Sequence, residues 1–212
     1  MTSRHAAQVA ILGPTMAERS PRTSVEDYLE AEQASDSKHE YTDGLVIAMA
    51  GASPCHNMIS SNVVRLLSAA LDAGPCRVFG SDQRVRVEAT RSYVYPDVTI
   101  ACGQLDFTSE RPPSLRNPTL LVEVLSPTTE DHDRGAKLAH YRPTPSVREV
   151  LLLQANERRG EVYRRQSDGT WLIVDVIAGE IVLESIGVRV PLAACYAKTE
   201  GLPLDPPRGL EA

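Results

Sequence analysis

Leu120-Leu121-Val122-Glu123-Val124-Leu125-Ser126-Pro127 is the stretch that decides the fold. Its first six residues are apolar except for Glu123, and Ser-Pro closes them. A short apolar run ended by a turn signal reads as a strand buried on both faces, at the centre of a sheet. Glu123 is the anomaly. A bare buried carboxylate costs several kcal/mol, so this one must be paired, protonated or bound to a metal. The plain alternative is a structural salt bridge to a neighbouring arginine; perturbed acids in cores also mark functional sites.

Upstream, Asp97 follows Pro96 and opens the apolar run Val98-Thr99-Ile100-Ala101. An aspartate at a strand end often only caps a turn. Two acids on strands joined by a Pro-containing loop (103–118) suit neighbouring strands, and such oxygen-rich pairs hold Mg²⁺. Downstream, a helix is expected from about Thr129 to Arg142, stopped by Pro143 and Pro145. It carries Lys137, whose plain role is a surface pair with Asp133 at i−4, worth only about 0.2–0.5 kcal/mol. Its functional role would be a point charge beside a scissile phosphate or attacking water. Side chains alternate along a strand, so Leu125 shares a face with Glu123. Lys137 can serve that face only if the helix folds back over it, and Gly135 would permit close approach.

Further out, Thr23-Ser24-Val25-Glu26 has capping-box spacing and opens a helix to about Ala34. Glu40 to Ala50 reads as a hairpin turning at Asp43-Gly44. Ser53-Pro54 starts a second helix, ended by Gly74. Valine-rich strands are expected at 77–80, 84–88 and 93–101, with later strands at 150–153, 161–165, 171–177 and 181–190. Residues 1–20 read as a mobile N-terminal arm, 21–200 as one domain and 201–212 as a tail.

Composition narrows the classes. The chain has 212 residues, 42% apolar and 24% charged, enough for one sizeable core. No apolar run approaches the roughly 18 residues of a membrane span. Neither G-x-x-x-x-G-K nor G-x-G-x-x-G occurs, so no nucleotide cofactor is expected. Cys55, Cys76, Cys102 and Cys195 form no C-x-x-C pair and read as buried thiols of a reducing cytoplasm. The net charge of −6 argues against non-specific coating of DNA but allows a local basic cleft. Arg84 and Arg86, sharing a strand face, and Arg134 are candidate phosphate contacts, although a solvated face is the plainer reading of the first two. Cys55-His56 is no thiol–imidazole pair, since adjacent helical residues do not face each other; His56 is at most a pocket residue.

Pro96-Asp97, Val122-Glu123-Val124-Leu125-Ser126-Pro127 and Asp133-Arg134-Gly135-x-Lys137-Leu138-x-x-Tyr141 together resemble the Uma-two family, a restriction-endonuclease branch of the PD-(D/E)xK nuclease superfamily. Glu40-Tyr41-x-Asp43-Gly44, Gly51-Ala52-Ser53-Pro54-x-His56 and Pro145-Ser146-Val147-Arg148-Glu149 extend the likeness over about residues 22–197. The resemblance implies an α/β fold, a restriction-endonuclease-like mixed sheet flanked by helices, with additional C-terminal antiparallel strands. It implies Asp97 and Glu123 as acids holding Mg²⁺ or Mn²⁺, Lys137 as a lysine moved from strand to helix, and Glu40 as an upstream acid completing the site. Its expected substrate is DNA, cleaved at phosphodiester bonds, and it leaves room for a homodimer. Gln154 departs from it, standing where an aspartate is common. The alternative is a nuclease fold retained as a nucleic-acid- or protein-binding module without turnover.

Overall fold

The computed structural model describes residues 22–49, 51–126, 135 and 137–204; the expected N-terminal arm lies outside them. The chain runs α1 (Val25–Ala34), β1 (His39–Thr42), β2 (Leu45–Ala48), α2 (Pro54–Leu71), β3 (Cys76–Gly80), β4 (Val85–Val87), β5 (Ser92–Val94) and β6 (Val98–Cys102). It continues through β7 (Leu120–Leu125), α3 (Leu138–Tyr141), β8 (Glu149–Gln154), β9 (Gly160–Arg165), β10 (Trp171–Val176), β11 (Glu180–Leu183), β12 (Val188–Pro191) and α4 (Leu192–Cys195).

The central strand is where the apolar run predicts it. All six residues of β7 are buried. It lies inside a six-stranded sheet of order β10-β9-β8-β7-β6-β3, in which only the β7–β8 pair is parallel. Parallel neighbours need a crossover, and the β7–β8 connection carries α3 over one face. On that face Leu121 and Leu125 pack with Leu138, Tyr141, Val150 and Leu152. On the other, Leu120, Val122 and Val124 pack with Ile59, Val63 and Leu67 of α2 and with β11, β12 and α4. The period of two therefore sends Glu123 toward α3, as the alternation requires.

A second sheet, antiparallel and ordered β2-β1-β5-β4, covers the α3 side through Val85, Val87 and Val94. Its outer face stacks Tyr41 and Tyr93 on Tyr28 of α1. The hairpin turns at Asp43 and Gly44, both with positive φ (45° and 90°), the geometry of a type I′ turn.

Several expectations shift. The N-cap of α1 is Ser24, whose Oγ accepts from Asp27 N, one residue later than the Thr23–Glu26 box. The strand expected over 93–101 is two strands in different sheets, because Pro96 lacks a ladder donor and restricts Tyr95 before it. The strand expected over 181–190 is a hairpin turning at Glu184–Gly187. Cys76 and Cys102 are register partners on β3 and β6 and form a disulfide, so only Cys55 and Cys195 are free thiols. Sequence separation hid that pairing, and the thiol count no longer argues for a reducing compartment. Of the expected 129–142 helix, half lies outside the described residues; Gly135 and Lys137 form a wider π-type turn leading into α3. Among the described residues no helix is long and apolar enough to cross a membrane.

Glu149, wholly buried on β8, anchors the late hairpin. Its carboxylate accepts from Arg164 Nε (2.6 Å), from the backbone N–H groups of Glu184 (3.2 Å) and Ser185 (2.8 Å), and from Ser185 Oγ (2.6 Å). Removing it strands buried donors. Glu149→Ala should therefore cost about 3–5 kcal/mol in urea unfolding, with Glu149→Gln losing less.

Burial raises the phenol pKa of Tyr28, Tyr95 and Tyr196, and pushes Tyr93 up to about 12. A neutral form favoured by folding stabilises fully below the unfolded pKa, and that stabilisation is lost as pH rises toward the folded one. Burial also pushes the Cys195 thiol up to about 11 from 9.0, so thermal melts should begin to fall near pH 9.0 and drop more steeply above about pH 10 as the tyrosines join.

Candidate active site

Glu123 meets its partners on the face that β7 turns to α3. Lys137 Nζ lies 3.2 Å from Glu123 Oε2, and the Tyr141 hydroxyl donates to Oε1 at 2.5 Å. Lys137 and Tyr141 are four residues apart, which puts both on one helix face, so one helical turn grips both oxygens of one acid. Lys137 Nζ also lies 3.3 Å from Glu40 Oε1 of β1. Glu123, Glu40, Lys137 and Tyr141 are all buried. The arginine partner considered for Glu123 is thus a lysine among its described contacts, and the alternative Asp133 partner of Lys137 lies outside the described residues.

Glu40 is set by the strand break at Pro96. Tyr95 N donates to Glu40 Oε1 (3.1 Å) while the Tyr95 hydroxyl donates to Glu32 Oε1 of α1 (2.8 Å). Glu32 also accepts from His39 N (3.0 Å), and its other oxygen lies 2.9 Å from His39 Nδ1. A polar chain thus runs from α1 to the Lys137 ammonium.

Asp97 stands one residue before β6, whose Val98 pairs with Val122. Asp97 itself stands outside the ladder, which begins at Val98. Its Oδ2 accepts from Val124 N at 2.7 Å and lies 3.2 Å from His56 Nε2. The capping role considered for Asp97 is therefore present, directed at β7 rather than at a turn. Both polar contacts fall on Oδ2, which leaves Oδ1 as the oxygen a cation could take. His56 is the third residue of α2, behind the cap formed by Ser53 Oγ on His56 N (3.2 Å).

Other candidates fall elsewhere. Arg84 is 1% exposed, donates to Ser114 Oγ and the Pro112 carbonyl, and stacks over Tyr93 (5.1 Å) and Tyr28 (5.8 Å). It has no surface to offer a phosphate backbone: its strand face is covered by α1 instead of water. Arg86 lies 4.4 Å over the Tyr93 ring, with Nε 3.4 Å from Glu88. Arg134 is outside the described residues. Among the described residues, a Cβ added at Gly135 would meet nothing within 4 Å.

The structure thus brings Glu123, Lys137, Glu40 and Tyr141 into one buried cluster, and Asp97 meets His56 and the Val124 amide beside it. Tyr141 and the Tyr95–Glu32–His39 chain were missed as site residues. Tyr141 had a signal, its i+4 spacing from Lys137; the Tyr95 chain depends on the strand break and had none.

Comparison with known proteins agrees with this architecture. A crystal structure from Anabaena variabilis, described as "a putative nuclease belonging to DUF820", superposes with a TM-score of 0.64 at 17% identity, over 81% of this chain and 96% of that one. Two Synechocystis proteins, each called an "Uncharacterized protein", slr1290 and sll1609, are 36% and 32% identical. Those matches cover 83% and 74% of this chain, and 92% and 89% of the relatives. The Uma2 family model, whose description reads "Putative restriction endonuclease", matches residues 25–191. With the match spanning nearly the whole described fold, this chain belongs to the Uma2 family.

Proposed function

We propose that the chain is a Mg²⁺-dependent DNA endonuclease that hydrolyses phosphodiester bonds, with Asp97 and Glu123 as metal ligands and Lys137 as the charge-stabilising group. One observation carries this reading: a carboxylate buried at the centre of an apolar sheet is gripped by a lysine and a tyrosine, with a second acid, Asp97, bonded to the next residue of the same strand. Among the described residues no three His, Cys, Asp or Glu side chains form a metal-holding group. Mg²⁺ needs no such cage, since it commonly takes one or two carboxylates and completes its shell with waters and phosphate oxygens. The donors fit it: they are hard oxygens, and the two carboxylates on Lys137 (Glu123 and Glu40) outnumber its one ammonium. Mn²⁺ suits the same set.

When bound, the ion would polarise the phosphate and lower the pKa of a bound water. The chain's own residues do the rest. Tyr141 fixes the Glu123 carboxylate plane. The Lys137 ammonium, desolvated between two acids, is placed to offset negative charge developing on a phosphate oxygen. Glu40 holds that ammonium in reach of Glu123.

The second reading is a nuclease fold without turnover. The observation favouring it is that Glu40, Lys137 and Glu123 already form a mutually compensating buried ion cluster. Incubation with supercoiled, linear and branched DNA in Mg²⁺ or Mn²⁺, beside a Glu123→Ala control, decides between them. Cleavage lost in the control supports the enzyme; no cleavage of any substrate supports the binding module.

Lys137→Ala should abolish cleavage. Leu125→Lys added to it should restore a measurable part, because position 125 shares the face of Glu123; a folded double variant with no activity would count against the lysine's role. Glu123→Gln should abolish Mn²⁺ binding in calorimetry. Its stability loss should stay below the roughly 3–5 kcal/mol of a stranded buried charge, since Lys137 keeps Glu40. A larger loss with metal affinity intact would favour the structural ion cluster.

A further inference from the structure

We infer that His56 is a positioning residue for Asp97, holding one carboxylate oxygen so that the other is presented to the shared acid site; the functional meaning of this rests on the metal role proposed for Asp97. Asp97 precedes the first β6–β7 register pair, Val98 with Val122, so the sheet ladder alone does not orient its side chain. Two groups from different elements converge on its Oδ2: Val124 N of β7 at 2.7 Å and His56 Nε2 of α2 at 3.2 Å. A carboxylate held by one hydrogen bond still pivots about that bond. A second contact from another direction fixes its plane and with it the aim of Oδ1. Nε2 is the ring nitrogen turned to the carboxylate, which can only accept when ionised.

His56 is itself well anchored. Its N–H donates to Ser53 Oγ, Pro54 pre-sets the helix start, and Ile59, Val63 and Leu67 bury α2 against the sheet. Its side chain is 12% exposed, which leaves the imidazole little room to swing away from Asp97. The arrangement also divides the work between layers. Glu123 and Glu40 are held from the α3 side of the sheet, whereas Asp97 is held from the α2 side. His56 is thus a route by which α2 sets the geometry of an acid that α3 does not touch through any described hydrogen bond.

The plain alternative is a strut that merely ties α2 to the sheet end. Two variants of the full chain separate the two. His56→Leu keeps bulk and removes the donor; His56→Gln keeps an N–H donor. Backbone amide exchange by NMR, on metal-free protein, reads whether Val124 N–H keeps its Asp97 acceptor. Mn²⁺ affinity by paramagnetic resonance reads the metal side. We expect faster exchange at Val124 in His56→Leu with the Val122 amide unchanged, and Mn²⁺ affinity about 10–100-fold weaker, both substantially restored in His56→Gln. Unchanged Val124 exchange in His56→Leu would overturn the inference. So would uniform acceleration along β7 that His56→Gln does not relieve, the mark of a strut. If the unaltered chain takes up no Mn²⁺, the metal reading fails by itself, and the Val124 exchange still decides whether His56 positions Asp97.

Discussion

A carboxylate at the centre of an apolar strand cannot be left alone, and the arrangement around β7 answers that constraint. The strand is buried on both faces, so Glu123 has no route to water and must find compensation within the fold. The compensation arrives from the crossover. Because β7 and β8 are parallel, their connection has to pass over one face, and the face it passes over is the one that carries Glu123. Lys137 and Tyr141 meet the acid there. The second sheet closes the same face, and through Glu40 it supplies the lysine with another acid. One charge in the wrong place thus explains why a helix turn, a strand and a second sheet converge on one point.

The acidic charge of the chain is consistent with this centre. Among the described residues, buried carboxylates (Glu32, Glu40, Glu123, Glu149, Glu161) outnumber buried cations (Arg84, Lys137). On the reading proposed above, contact with DNA would depend on the ion and on residues at the rim, not on a broad basic face. Arg84 illustrates the difference. Read from the chain, it is one of two arginines alternating on a strand; in the fold it lies against the rings of Tyr28 and Tyr93 and is bonded to the 103–118 loop. Its work is to hold α1, the second sheet and that loop together.

What was legible in the chain was what local patterning controls. The apolar run at 120–125, the turn pair Asp43-Gly44 and the cap-and-proline start Ser53-Pro54 each act over a few residues, and each appears as read. The meeting of Glu123 and Lys137 was legible too, through alternation of side chains and the family resemblance. What stayed hidden is set by contacts distant in sequence. The split of 93–101 between two sheets depends on Pro96 coinciding with a sheet boundary. The late hairpin folds around Glu149, more than thirty residues upstream. The Cys76–Cys102 bridge requires a register that neither residue advertises.

Placing the lysine on a helix, with leucine at strand position 125, makes the site dependent on tertiary packing. A strand lysine two residues from Glu123 would share its face by backbone geometry alone. Lys137 reaches the acid only while α3 stays docked, because packing and not the strand ladder sets its place. The dock is built from both ends. At the start, Leu138 and Tyr141 pack with Leu121 and Leu125 of the strand that bears Glu123. At the end, Arg165 of β9 donates to the carbonyls of Val147 (2.8 Å), Arg142 (2.6 Å) and Thr144 (2.9 Å), satisfying acceptors that a helix terminus leaves open. Its guanidinium in turn lies 4.6 Å over Trp171 of β10. The outer strands of the main sheet, remote from any acid of the site, therefore hold the helix that presents its one buried ammonium. In this fold the position of the charge is a property of the whole sheet, not of the strand that carries the acid.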